Sequence, residues 1–192
     1  MNNTPYTDIL KKNRFQIRDL SKKSQAWFTL QSGLLGQQIT FAKMMQENTV
    51  NNKNIMRPGE MYLFQYDAKH KETLPHWDMY PLVFPFRILK DGFIGLNLHY
   101  LPIHLRAQLL DNLMQFKSNN RFDETTRLRA NWQLLSSISR HKLIEPCVHR
   151  YLWEHTRSRF KKIDSPDWGT ALLLPVEKFV GASKAQVWKN TR

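Results

Sequence analysis

RPGEMYLFQYDAKHKETLPHWDMYPLVFPFRILKDGFIGLNLHYLP, residues 57–102, is the stretch whose reading decides the fold. It holds three apolar runs, Met61–Tyr66, Tyr80–Ile88 and Phe93–Leu101. Each is bounded by turn residues: Pro58-Gly59, then Asp67 with Pro75 to Asp78, then Lys90-Asp91-Gly92. Short runs rich in aromatic and β-branched residues with this punctuation read as strands. Asp91-Gly92 marks a tight hairpin, since glycine accepts the positive φ that such turns use. Pro81 and Pro85 cannot donate to a ladder, so the middle strand lies at an edge or carries a bulge. The stretch therefore predicts a small, strongly bent antiparallel sheet.

Working outward, residues 1–23 carry Lys11, Lys12, Arg14, Arg18, Lys22 and Lys23 with few apolar anchors, the pattern of a flexible basic arm or of a helix that orders on a partner. From Ser24 to Glu47, Trp27, Leu30, Leu34, Phe41 and Met44 recur at amphipathic-helix spacing, with a break expected near Gly33 and Gly36. Asn48–Asn54 reads as a polar linker, dividing a basic arm and helix over 1–56 from a sheet core with a helical C-terminal region over 57–192. Beyond the sheet, Pro102 opens a helix whose apolar face includes Ile103, Arg106, Leu109, Leu110, Leu113 and Met114. A second helix is expected from Thr125 to Ser139 with Leu128, Trp132 and Leu135 inward, and a third from Pro146 to Phe160. Trp168 to Val176 reads as a fourth strand of the sheet, and Ser183 caps a last turn through Trp188. The fold class is α+β.

The 192 residues suffice for one domain with a real core, and 41% apolar content with 12% aromatics supports a folded chain. No apolar run approaches the ~20 residues of a membrane span. The first residues lack the basic start and apolar core of a secretory signal. Cys147 is the single cysteine, so neither an internal disulfide nor a cysteine metal site is expected.

The net charge of +13 points to a polyanionic partner. It is unevenly spread: residues 57–116 are neutral, while 1–56 carry +5, 117–165 carry +6 and 166–192 carry +2. On the expected third helix Arg150, Arg157 and Lys161 align as a basic stripe, with Arg140, His141 and Lys142 upstream and Arg159 and Lys162 beside it. Such a stripe can track a phosphate backbone, or be only a solvated face. Tyr151, Trp153 and Phe160 are base-stacking candidates, and equally the core anchors any amphipathic helix needs. The nucleic-acid-binding candidates are thus Arg140, Lys142, Arg150, Arg157, Arg159, Lys161 and Lys162, with Lys11, Lys12 and Arg14 of the arm.

Signals for catalysis are weaker. Asn97 and His99 would share one strand face, where an exposed His is a possible general acid or base. The competing reading is a buried His satisfied by a backbone carbonyl. Asp67, Asp78 and Asp91 each fall at an expected turn, where Asp bonds its own backbone. His70 and His76 have no ligand partner at a recognised spacing. Cys147 and His149, two apart on the expected helix, point apart. No phosphate loop, nucleophile elbow, kinase or zinc signature occurs. No catalytic residue, metal, cofactor or small-molecule substrate is expected.

Two resemblances add to this reading. RPGEMYLFQYD followed by YPLVFPF resembles the opening of SH3-like barrels such as the MazF and PemK toxins, which implies an SH3-like sheet; the toxins' catalytic arginine and threonine or serine pattern has no counterpart, so their nuclease activity is not implied. From about Trp27 to Trp188, the segments LPHWDMYPLVFPF, DGFIGLNLHYLP, RSRFKKIDS and LLLPVEKFVGASKAQVW resemble small proteins of T-even-like tailed bacteriophages and their marine relatives, of the DNA end protector or head-completion kind. That resemblance implies a non-enzymatic protein of the host cytoplasm and virion. Its partners would be DNA, held by the phosphate backbone, and other virion proteins, with no membrane role. It transfers no individual site residue. A virion assembly protein whose basic arms bind acidic phage proteins is the alternative.

Overall fold

The computed structural model describes residues 49–50, 56–102, 105–107, 109–110, 112–113, 123–139, 142, 144–163, 168 and 177–190. These form an α+β architecture around one antiparallel sheet of six strands in the order β1-β7-β2-β4-β5-β6. The strands are β1 Thr49–Val50, β2 Met61–Leu63, β4 Leu82–Ile88, β5 Gly92–Asn97, β6 Val148–Leu152 and β7 Phe160–Ile163. A two-stranded ribbon pairs β3, Trp77–Asp78, with β8, Phe179–Val180.

Three strands fall where the apolar runs place them, and β4 explains why a proline is tolerated. β4 is a central strand, and its register with β5 shifts between Pro85 and Arg87. The expected edge or bulge is thus a bulge, which leaves the Phe86 carbonyl free to accept the Trp132 indole N–H at 2.7 Å. The β4–β5 hairpin turns at 89–91, where the Leu89 amide donates to the Gly92 carbonyl at 2.8 Å. Gly92 is not at positive φ; among the described residues Gly59 and Gly181 are. Glycine stands at 92 for room, because a Cβ there would overlap the Tyr151 carbonyl of β6.

Both faces of the sheet are buried, which is why the β4 run LVFPF is continuous rather than alternating. Register puts Tyr62, Val83, Phe93, Tyr151 and Phe160 on one face. They form an aromatic cluster with Phe64, Tyr66 and Trp153. Phe64 is its hub, edge-on to Tyr151 at 5.3 Å between ring centroids and 4.9 Å from Phe160. The opposite face carries Met61, Leu63, Leu82, Phe84 and Leu96, all buried, with Phe84 edge-on to Trp168 at 4.9 Å.

The largest correction concerns residues 146–163. The spacing of Val148, Leu152 and His155 predicts a helix, but the chain runs as a 3-10 turn Glu145–Cys147, β6, a 3-10 turn Trp153–His155, a bridge from Thr156 to Tyr66, and β7. Tyr151 and Trp153, two apart, are buried with Leu152 more open between them and Arg150 and Glu154 exposed on either side, as a strand's alternation gives. Tyr151, Trp153 and Phe160 are core residues. β6 and β7 are strands where a helix is expected; of the fourth strand expected from Trp168 to Val176, Trp168 is helical and 169–176 lie outside the described residues. Within the expected polar linker, Thr49–Val50 pairs with Lys161 and Phe160.

The helices are α1, Glu124–Ile138, and α2, Lys184–Asn190; the described residues between 105 and 113 are also helical. Asp123 caps α1, accepting from the Thr126 amide at 2.6 Å. Asn131, Leu135 and Ile138 face inward on α1, whereas Trp132, expected inside, is exposed and its indole donates to the Phe86 carbonyl. Ser183 opens α2 with a capping box: its hydroxyl accepts from the Gln186 amide, and Gln186 Oε1 accepts from the Ser183 amide at 2.8 Å. The expected helix at 24–47 lies outside the described residues.

Candidate nucleic-acid interface

His99 is the first residue to place, because it carried the enzymatic alternative. It sits in a 3-10 turn, Leu98–Tyr100, rather than on the strand, because Asn97 Oδ1 accepts the His99 amide at 3.0 Å and caps the turn. Its ring is fully buried, with Nδ1 2.8 Å from Asp78 Oδ2. Asp78 also accepts from Asn97 Nδ2 at 3.0 Å and, through Oδ1, from the Tyr80 amide at 3.1 Å. The expected turn bond of Asp78 is therefore present, and the same carboxylate is the hub of a buried knot. Burial alone would raise the Asp78 carboxyl; attraction to His99 and the three hydrogen bonds outweigh it and hold the group below the ordinary carboxylate range. The His99 carbonyl accepts from Trp188 Nε1 at 2.8 Å and Arg106 Nη2 at 3.0 Å, which ties α2 to the sheet. A His with no exposed atom cannot transfer protons to a substrate. Its role is structural, though its partner is a carboxylate and not the expected carbonyl.

The other polar candidates separate in the same way. Burial pushes the Cys147 thiol up to about 12, leaving it no thiolate character at neutral pH. Asp67 lies between the Tyr66 bridge and the turn that begins at Lys69, and Asp91 in the β4–β5 hairpin: Lys71 at 3.1 Å and Arg157 at 3.4 Å flank Asp67, and Arg150 pairs with Asp91. Hydrogen bonds from Lys71 and then Arg157 lower the Asp67 carboxyl, a change softened by its exposure. Among the described residues no group of three or more His, Cys, Asp or Glu side chains is arranged to hold a metal.

The expected basic stripe is dispersed by the change from helix to strand. Arg150 is exposed on β6; Arg157 and Arg159 are exposed in the link to β7; Lys161 and Lys162 lie half-buried on β7; Lys142 is exposed in a turn. Lys162 Nζ is held at 2.8 Å by Glu60, which the Tyr62 hydroxyl also donates to at 2.8 Å. Arg140, Lys11, Lys12 and Arg14 lie outside the described residues. The exposed cations Arg150, Arg157 and Arg159 thus follow one another along β6 and its link as a band in the chain, while Lys161 and Lys162 point to opposite faces of β7, and no single helix face carries them.

A cleft of about 920 Å³ opens beside this band, and sequence reasoning missed it. Trp77, His76, Tyr100 and His149 line it, with Lys69, Lys90 and Arg150 also among its lining residues. The rings are close together: His149 lies 4.1 Å from Tyr100, and His76 5.7 Å from Tyr100 at an interplanar angle of 32°. The β3–β8 ribbon positions Trp77, and Asp78 next to it anchors the ribbon to the knot. Burial holds the His149 imidazole down at about 4, so it is neutral at pH 7. The signal was the density of His, Trp and Tyr in LPHWDMYP, read above only as a turn between strands.

No helix among the described residues is long and apolar enough to cross a membrane. No curated protein and no solved structure matches the chain. A family model described as the Phage T4 terminal DNA protecting protein matches residues 7–191, nearly the whole sequence. The basic, α+β chain, with its one candidate catalytic histidine sealed in the core, belongs to the family of phage T4 terminal DNA protecting proteins.

Proposed function

We propose that the protein binds the ends of linear phage DNA and shields them without cutting, as part of completing the filled head. The observation that carries this reading is the family match across residues 7–191. The net charge supports it: with 29 Lys and Arg against 16 Asp and Glu, a formal excess of +13 remains for a polyanion to meet. The cations assigned to phosphate contact are Arg140, Lys142, Arg150, Arg157, Arg159, Lys161 and Lys162, joined by Lys11, Lys12 and Arg14 of the N-terminal arm. Their contacts fix position and carry no sequence information. The SH3-like reading of the bulged sheet belongs to this proposal as its scaffold, and the virion as its place of action.

The test is binding to one DNA sequence as blunt linear duplex and as closed circle, across a salt titration. The expected result is a preference for the linear form and an affinity that falls about 10³-fold or more between roughly 50 and 200 mM salt. Weak binding without preference for ends would overturn it and direct the basic surface to acidic virion proteins instead.

A further inference from the structure

We infer that the cleft between the β3–β8 ribbon and β6 receives the terminal nucleotide of a DNA end, unpaired from its partner and stacked on the cleft's rings. This rests on the end-binding reading above and deepens it. The volume, about 920 Å³, is within the range of pockets that enclose a small ligand of nucleotide size. Its open ring surfaces are those of the half-buried Trp77 and His76, with the buried Tyr100 ring packed against His76 and contributing little surface of its own. Stacking on rings accepts any base, because every base has a π-face, and a protein that guards ends must accept whatever base stands there.

The cations around the cleft suit the attached phosphate. Lys90 is exposed and has no ion pair among the described residues. Lys69 and Arg150 are paired, at 4.0 Å to Glu154 and to Asp91, but all four side chains are at least half exposed. Exposed pairs of this kind contribute little and exchange readily for a phosphate. Asp78, the carboxylate deepest in the lining, has both oxygens committed to the knot. The His149 ring adds no charge at neutral pH, so an uncharged base meets an uncharged wall.

The same geometry supplies end selectivity without sequence readout. Extruding a base costs unpairing and unstacking. An internal base must leave two stacking neighbours and a terminal base only one, so only an end fills the cleft at small cost. The exposed cations on β6 and in its link to β7 hold any duplex; the cleft discriminates its terminus.

The experiment compares binding to blunt linear duplex, the same duplex with hairpin-capped ends, and a closed circle, and maps photocross-links from 5-iododeoxyuridine placed at the terminal or a central position. The expected cross-link from the terminal base is to residues 76–77 or Tyr100, and none arises there from the central base. Trp77→Ala should weaken binding to blunt ends about 5- to 150-fold while leaving the circle unaffected. Trp77 is half-buried, so Lys90→Glu, at an exposed site, is the second variant; it should reduce the preference for blunt over capped ends in a protein with unchanged thermal unfolding. Terminal cross-links that map to β7, with both variants binding ends as the parent does, would overturn the cleft and leave end binding standing. A parent protein that binds linear and circular DNA alike would overturn both.

Discussion

The molecule places the same chemistry, a carboxylate against a basic side chain, in two surroundings. In the knot, Asp78 and His99 meet at 2.8 Å with neither side chain more than 1% exposed, and Asn97 and the Tyr80 amide satisfy the remaining oxygen sites. In the band, Arg150 meets Asp91 and Arg157 meets Asp67 with both cations about half exposed. In low dielectric, breaking a pair strands an unmet polar group; in water it frees a cation for another anion. The knot therefore fixes the position of the β3 ribbon and α2, while the exposed cations can exchange partners, as the proposed phosphate contacts require. On that proposal, function lies at the surface rather than at the most conspicuous buried dyad.

Removing the hub of the knot gives the largest effect. Asp78→Ala leaves His99 without its acceptor and Asn97 with the Tyr151 hydroxyl alone, and should cost about 3–5 kcal/mol, a large part of an ordinary domain's stability; urea unfolding measures it. Acid should act on the same region more gradually. The folded His149 stays neutral down to about 4, whereas the unfolded imidazole takes its proton near 6.5. The unfolded chain thus binds more protons across that window, and stability complete above about pH 6.5 is lost as the pH falls to about 4. The loss is on the order of 3 kcal/mol, read from unfolding curves at several pH values, and Asp78, whose carboxyl is also lowered, extends the decline further into acid.

A smaller effect follows from backbone contact. Gly92→Ala forces β5 away from the Tyr151 carbonyl and should destabilise by about 1–3 kcal/mol, seen as a lower unfolding midpoint. Least of all in stability is the double change Arg150→Ala with Arg157→Ala, which should leave the unfolding midpoint within error. Its effect belongs to binding: the slope of log affinity against log salt should become shallower by about 2. A marked loss of stability in this variant would erase the distinction between knot and band.

The central sheet was legible because its punctuation is chemical. Gly59, Pro81, the Pro85 bulge and the Asp91-Gly92 turn each constrain the backbone wherever they stand, although Gly92 is required for space and not for φ. Residues 146–163 were misread because Val148 and Leu152 lie four apart, which suits a helix and a strand alike; the deciding alternation of Tyr151 and Trp153 inward is shared with Arg150 and Glu154 outward. Trp132 was assigned inward on helical spacing alone, and its outward position follows from an indole donor finding the carbonyl that the bulge frees. The aromatic wall was illegible because Trp77, Tyr100 and His149 come from a ribbon, a 3-10 turn and an edge strand, and only the tertiary fold brings them together.

The central claim is that this protein shields DNA ends through surface contacts and not through the buried histidine. Digestion of linear duplex by an end-dependent exonuclease, followed with increasing protein, tests it most directly. Digestion should stop at stoichiometric protein per end, cleavage of circular DNA by an endonuclease should be unaffected at that ratio, and the protein itself should leave the DNA intact. Undiminished digestion of ends, or equal shielding of ends and interior, would contradict it.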